Sequence, residues 1–317
     1  MLIDKIFSKL TLIFSSFLLA QMSWAESNIE GDVEISVETE NVISASIGNL
    51  TGSEVAVGSV KDSDIDGNVK INVDTENVIS AAIGKAAFSE VNIGSVNDSD
   101  INGSVNIEVG ADNVISAAIG AGTLSRVNLG ALDDSDLGGD VKINVNTDNI
   151  VSAAIGAAAA SDVNVGSAVN SSVDGNTNIK VNTENIVSAA IGAAALSETD
   201  IGAIKNSSIG GDANIIVNTK NVISAAIGAG VYSDLAVGSV KNSNVGGDAN
   251  INVDTGNVAS AAIGVGQIST LHVGNVINTS VGGDANINVK TGDLAAFSIG
   301  VGFFKKSNKV SIGNIGE

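Results

Sequence analysis

Carboxylates at alternate positions are the first residues that could do chemistry. Asp62-Ser63-Asp64-Ile65-Asp66-Gly67 matches the opening of a DxDxDG calcium loop, in which Asp62, Asp64 and Asp66 would present oxygens to one cation. The twelfth position of such a loop should be Glu, and Val73 stands there. The equivalent segment further on reads Asn206-Ser207-Ser208-Ile209-Gly210-Gly211 and has lost every carboxylate. An Asx-rich turn explains the pattern better than a cation site, so Asp62, Asp64 and Asp66 stay as the calcium candidates and no other cofactor is expected. Catalytic chemistry finds less to work with. The chain has one His, His272, at a repeat position otherwise filled by Asn, Ala and similar residues, which reads as a surface substitution. No Ser-His-Asp set, metal cluster or phosphate-binding loop can be assembled. Zero Cys removes disulfides, thiolate nucleophiles and Cys-based metal sites together. We therefore expect a protein that is not an enzyme.

What must position these residues is a repeat. Gly occurs at 31, 67, 103, 139, 175, 211, 247 and 283, always 36 apart. Ile-Gly recurs at the same spacing through Gly48, Gly84, Gly120, Gly156, Gly192, Gly228, Gly264 and Gly300. Only the last of the eight repeats departs, with three extra residues around Phe303–Lys309 that displace Ile312-Gly313. Surface loops of a globular domain accept insertions cheaply, whereas an insertion in a stacked array breaks register with both neighbours. Constant length over seven repeats therefore predicts an all-β fold, a β-solenoid of eight in-register 36-residue repeats filling residues 26–317.

The local pattern has period two. Val69, Ile71 and Val73 alternate with Lys70, Asn72 and Asp74, as in a strand with one buried face. The inward columns are nearly constant, with Ile71, Ile107 and Ile143 in one and Val73, Val109 and Val145 in the next. Val78–Gly84 is apolar on both faces, which predicts a strand covered on both sides. A third strand is expected over Ser89–Val96 with Val91 and Ile93 inward. The Thr column containing Thr75, Thr147 and Thr183 reads as solvated strand ends and lacks the TxT pairing of an ice-binding face. Ala157–Ala160 has helical propensity, and a helix there would make an α/β solenoid instead. The two halves of each repeat resemble each other faintly, so one coil or two per repeat stays open. One coil per repeat gives a stack roughly 38 Å long at ~4.8 Å per strand.

Columns of polar residues follow from the same alignment. Asn41, Asn77, Asn113, Asn149, Asn185, Asn221 and Asn257 form one, closed by Asp293. Stacked amides can hydrogen-bond along the axis. Ser44, Ser80, Ser116, Ser152, Ser188, Ser224 and Ser260 form another, read as turn-fixing ladders in preference to a binding stripe. Near the C-terminus Phe297, Phe303 and Phe304 replace small residues and would plug the last coil, with Lys305, Lys306 and Lys309 discouraging further strand addition.

Residues 1–25 read as a Sec signal peptide, with Lys5 and Lys9, the apolar run Leu10–Ala20, and Ser23-Trp24-Ala25 ahead of the cut. Cleavage is expected after Ala25, leaving a secreted chain with no membrane span. The net charge of −20 argues against nucleic acid and anionic membranes as partners. The charge is graded along the chain. Glu40, Glu76, Asp112, Asp148 and Glu184 form an acidic column that ends at Lys220, Gly256 and Gly292. Asp62, Asp98 and Asp134 give way to Asn170, and Asp64, Asp100 and Asp136 to Ser172. Like charges one strand apart repel by about 1 kcal/mol in a water-like dielectric, so these columns are expected to restrain assembly.

A leader, constant-length repeats, Asn, Ser, Gly and Ala columns and no Cys together resemble functional-amyloid subunits of the curli and Fap types. The resemblance covers 31–317 as architecture. The Gln ladder of curli repeats is missing, since Gln267 is the one Gln after the leader, and so is a Fap-type Cys pair. The resemblance implies passage through outer-membrane export machinery, self-association into β-fibres and a biofilm-matrix role. The alternative is a monomeric β-solenoid adhesin on the cell surface.

Overall fold

The computed structural model describes residues 27–299 and 307–316, and the expected leader over 1–25 lies outside them. Among the described residues there is no helix. The second coil shows how the chain is wound. Val69, Ile71, Val73 and Thr75 point inward and the residues between them outward. Two interruptions then bend the strand. Glu76 and Asn77 both face outward, and so does the run from Ile83 to Ala86. Between the bends Val78, Ser80 and Ala82 point in, and beyond the second Ala87, Ser89, Val91 and Ile93 do. One continuous strand, Val69–Ile93, thus supplies three sides. Short strands Val96–Asn97 and Asp100–Ile101 complete the coil before Val105 begins the next.

Each 36-residue repeat is one coil. Val69 pairs with Val33 below and Val105 above, Ile71 with Ile35 and Ile107, and Asn77 with Asn41 and Asn113, all parallel. The offset becomes 39 in the last coil, where Asn314 bonds back to Asn275. There Ser307–Ile312 lies on Ile268–Val273, so parallel pairing resumes with the offset enlarged by the three extra residues. Three parallel sheets result: a large one from the long strands, and two narrow ones through Val96–Asn97 and Asp100–Ile101.

The interior has two parts of different thickness. Ile71, Val73, Ile93, Val96 and Ile101, with their counterparts in other coils, form a continuous aliphatic core. Beside it, the strand over 78–83 folds back on 86–90 as a thin arm whose interior is Ser and Ala, with Ala82, Ala87 and Ala118 forming a separate cluster. Two glycine columns permit this path. Gly94 sits at φ +57°, and a Cβ there would also lie 2.5 Å from Val109 Cγ2. At the arm tip a Cβ on Gly120 would overlap the carbonyl oxygen of Gly84 one coil below.

Several expectations are corrected. The strand over 78–83 is covered on one side only, and Ile83 keeps 43% of its surface exposed. The third strand begins before Ser89, as the continuation of the first two, and stops at Ile93 because Gly94 turns the chain. Thr75, Thr147 and Thr183 are buried, so this column presents no face to solvent or ice. Ala158–Val165 is a strand, since its amides pair with both neighbouring coils. Phe297 continues an outward Ala column and is 48% exposed, so it does not plug the last coil. Phe303 and Phe304 lie outside the described residues.

Ile143 is stacked between Ile107 and Ile179 and is buried, whereas Ile287 has a partner on one side and is partly exposed. Ile143→Asp should cost on the order of 3–5 kcal/mol, as for an unpaired buried charge. Ile287→Asp should cost less than about 1 kcal/mol, by fraying one terminal coil. Denaturant titration of both variants checks this; equal losses would contradict nearest-neighbour stacking.

Candidate functional site

In-register pairing places each polar side chain beside its own copy. Asn77 Nδ2 donates to Asn41 Oδ1 at 2.9 Å, Asn113 to Asn77 at 2.9 Å, and Asn149 to Asn113 at 3.0 Å. Asn185, Asn221 and Asn257 continue the ladder, and the Asp293 amide closes it on Asn257 Oδ1 at 3.3 Å. Asp62, Asp98, Asp134, Asn170, Asn206, Asn242 and Asn278 all have φ between 48° and 51°. Asp and Asn are the non-glycine residues that tolerate that left-handed conformation best, which explains why the column changes from Asp to Asn and to nothing else. Asp64 and Asp66 then flank the inward Ile65. The structure does not gather Asp62, Asp64 and Asp66 as a ligand set, and no group of three potential metal ligands occurs among the described residues.

The Ser column has a partner column that sequence reading missed. Ser53, Ser89, Ser125 and their equivalents face Ser44, Ser80 and Ser116 across the thin arm. Ser89 Oγ donates to Ser80 Oγ at 2.9 Å and Ser116 Oγ to Ser89 Oγ at 2.9 Å. The zigzag runs unbroken from Ser44 to Ser269, with each link between 2.8 and 3.1 Å. A hydroxyl donates once and accepts from its other neighbour, so both faces of the arm are satisfied without water. The signal in the sequence is a second constant Ser nine positions after the first. The column is therefore buried, and it neither binds at the surface nor fixes a turn.

The concave corner between the third side and Val96–Asn97 is a strip where the charge of the side chain changes from coil to coil. It holds Glu54, Glu90, Arg126, Asp162, Glu198 and Asp234 in one column, with Asn92, Asp200 and His272 among the residues beside it. A third column supplies Lys61, Asp133, Lys205 and Lys241. Arg126 reaches Asp162 at 3.4 Å, Lys241 reaches Asp234 at 3.1 Å, and Lys205 contacts Glu198 and, at 3.5 Å, Asp200. Opposite charges seven residues apart recur as Glu54/Lys61, Arg126/Asp133, Glu198/Lys205 and Asp234/Lys241, a signal that the sequence carries.

Burial dominates the titration of this strip. It raises Asp133 to about 6, with Asp134 adding to the rise and Arg126 opposing it. It carries Asp200 well above the usual carboxylate range, with Asp234 and Asp162 adding, and it lowers Lys205. Both shifts run toward the neutral pair, so desolvation outweighs the attraction across 3.5 Å. Burial would also raise Asp234, but Lys241 and the Thr270 hydroxyl hold it below the ordinary range. Tyr232, whose hydroxyl donates to Asp234 at 3.2 Å, is pushed up to about 12 by burial and then by that carboxylate. His272 is 4% exposed beside Asn275, which corrects the expectation of a surface substitution. Its pKa is lowered by burial. Outside the strip, Asp98 and Asp100 are raised first by burial and then by the aspartates stacked on them.

The ends are the remaining special places. Val33–Val57 is paired on one edge only, to Val69–Ile93. Ala285–Thr291, Leu294–Ile299 and Ser307–Ile312 are likewise paired on one edge. Among the described residues nothing pairs with the outer edge of either end. Their charges differ: residues 27–62 hold seven acidic and one basic side chain, and the described residues within 281–316 hold two acidic, Asp284 and Asp293, and two basic, Lys290 and Lys309. Comparison with family models, with curated proteins and with solved structures finds no match to this chain.

Two outcomes follow from the buried polar groups. Ser152→Ala strands the hydroxyls of Ser125 and Ser161 in a dry arm and should cost about 1–3 kcal/mol, while Ser44→Ala at the open end should cost under about 0.5 kcal/mol. Urea titration of the pair checks this. Asp133 titrates near 6 in the folded chain against an ordinary 3.8, so its penalty is absent below the lower value and complete above the upper. Stability should rise as pH falls through that window, and Asp133→Asn should raise stability at pH ~7.5 and flatten the rise. A mutant with an unchanged pH profile would contradict the assignment.

Proposed function

We propose that this is a secreted structural protein of the cell exterior that stacks end to end into β-fibres. The observation that supports this reading is a pair of in-register edges that nothing pairs with among the described residues, strongly acidic at one end and near-neutral at the other. Continuing the 36-residue offset across a junction sets Ile287 over Ile35, Val289 over Val37 and Thr291 over Thr39 of a second copy. Lys290 then stands over Glu38 and Lys309 over Glu54, while Asp293 meets the free amide end of the Asn41 ladder. A β edge with self-complementary side chains is a template for strand addition, and a head-to-tail contact that does not close extends into a filament. The net charge of −20 on every copy opposes extension at long range, which makes assembly responsive to salt and pH.

Charge exchange at the junction tests the reading. Lys290→Glu and Glu38→Lys should each slow filament growth by light scattering and electron microscopy, because each sets like charges one strand apart. In a mixture, alternating copies of the two variants meet with opposite charges at every junction, so growth should recover. Filaments that form equally well from every variant would contradict the proposed register. A chain that stays single at all concentrations would favour the alternative, a monomeric surface adhesin.

A further inference from the structure

The outer face of each long strand changes character at the first bend. Before it, Lys70, Asn72, Asp74 and Glu76 face solvent. After it, Ile79, Ala81 and Ile83 do, and the same three columns run through all eight coils without a charge. Away from the ends the outer isoleucines keep about two fifths of their surface exposed, with Ile119 at 42%, Ile155 at 41% and Ile191 at 39%. Scattered exposed aliphatics are ordinary, but a continuous stripe is not.

We infer that this stripe pairs face to face with the stripe of a second copy. The five residues from Ile79 to Ile83 span about 17 Å along the strand and eight coils about 38 Å along the axis. The flat face thus covers roughly 650 Å2, and pairing would bury about 1,300 Å2 in total, near the lower end of the range of a stable interface. Regularity selects the occupant. The side chains stand in rows one strand apart, with ridges of Ile and Val flanking a furrow of Ala through the first six coils; Ala259 and Ala295 lower one ridge in the last two, and Phe297 fills the furrow of the eighth. A surface that fills every furrow must carry the same ~4.8 Å repeat, as the partner sheets of a steric zipper do. Another copy of this chain has that repeat by construction. The other side of the arm makes the contrast. It is a groove of about 950 Å3 whose outward column reads Gly52, Phe88, Leu124, Ala160, Leu196 and Tyr232. Those sizes vary too much for a surface to fit itself.

This pairing is lateral and does not depend on end-to-end stacking, so the two can fail separately. The absence of native Cys allows a direct test on the whole mature chain. Ala153→Cys places one thiol in the central furrow of the stripe, and Asn144→Cys places one on the polar outer face of the same strand. With a short bifunctional maleimide, the first should give a covalent dimer and the second should not. Ile119→Lys with Ile191→Lys, added to Ala153→Cys, should reduce cross-linking at least tenfold while the β circular dichroism spectrum is unchanged. Sedimentation of the chain bearing only these two lysines, with no cysteine added, should show the laterally paired species lost. If Ala153→Cys does not cross-link and the lysines leave sedimentation unaltered, the inference is overturned. It is also overturned if the stripe takes up neutral lipid vesicles while copies remain unpaired. Filaments that persist in the lysine variant would leave the end-to-end reading standing.

Discussion

Among the described residues each coil lies on the next in parallel register, 36 positions along the chain until the offset of 39 in the last coil, and the rest of the structure depends on that pairing. A side chain that stacks on itself must be compatible with itself. Amides are, because one end donates and the other accepts. Hydroxyls are, because each gives one hydrogen and receives another. Branched aliphatics interlock, and glycine lets backbones approach. Carboxylates and ammonium groups repel their copies, which explains a charged fraction of 16% with so few lysines. An aromatic content of 3% has a related cause: the core is one coil thick and is filled by Ile, Val and Leu.

Where unlike residues do stack, the fold provides a second neighbour. The concave corner brings three columns together, so Lys241 finds Asp234 and Lys205 finds Glu198 and Asp200 in a neighbouring column, while Arg126 is stacked directly on Asp162 within one column. That corner is a strip where the charge changes from coil to coil and where carboxylates are most displaced from their ordinary titration. The acidic columns of the first half lack such partners. Asp98 is raised by burial and by Asp62 and Asp134, the aspartates beneath and above it. Column repulsion and corner compensation thus have one origin, the fixed distance between coils.

Much of this was legible in the sequence because the repeat length never changes. Constant spacing predicts in-register stacking, and the alternation over Val69, Ile71 and Val73 predicts their inward faces. The reading fails at Thr75, which looks like a solvated strand end and is buried, and alternation itself breaks just beyond it for a definite reason. Glu76 and Asn77 both point outward, so counting by twos from Val73 selects Ile79 and Ile83 for burial when Val78, Ser80 and Ala82 are the buried ones. Both faces of that segment are apolar, and hydrophobicity cannot arbitrate between them. The second Ser column was missed because its partner lies across a fold-back at the Gly84 and Gly120 column, which period-two counting reads as the end of a strand. His272 was misjudged because a column of Asn and Ala looks exposed, whereas here it lines a closed corner.

The central claim is that the register inside one chain continues from one chain to the next. Cryo-electron microscopy of filaments of the mature protein tests it most directly. The account predicts strands perpendicular to the filament axis, an axial step of ~4.8 Å between coils and about 38 Å per copy, with no gap at the junction. A copy-to-copy step well above that value, or strands running along the axis, would contradict it.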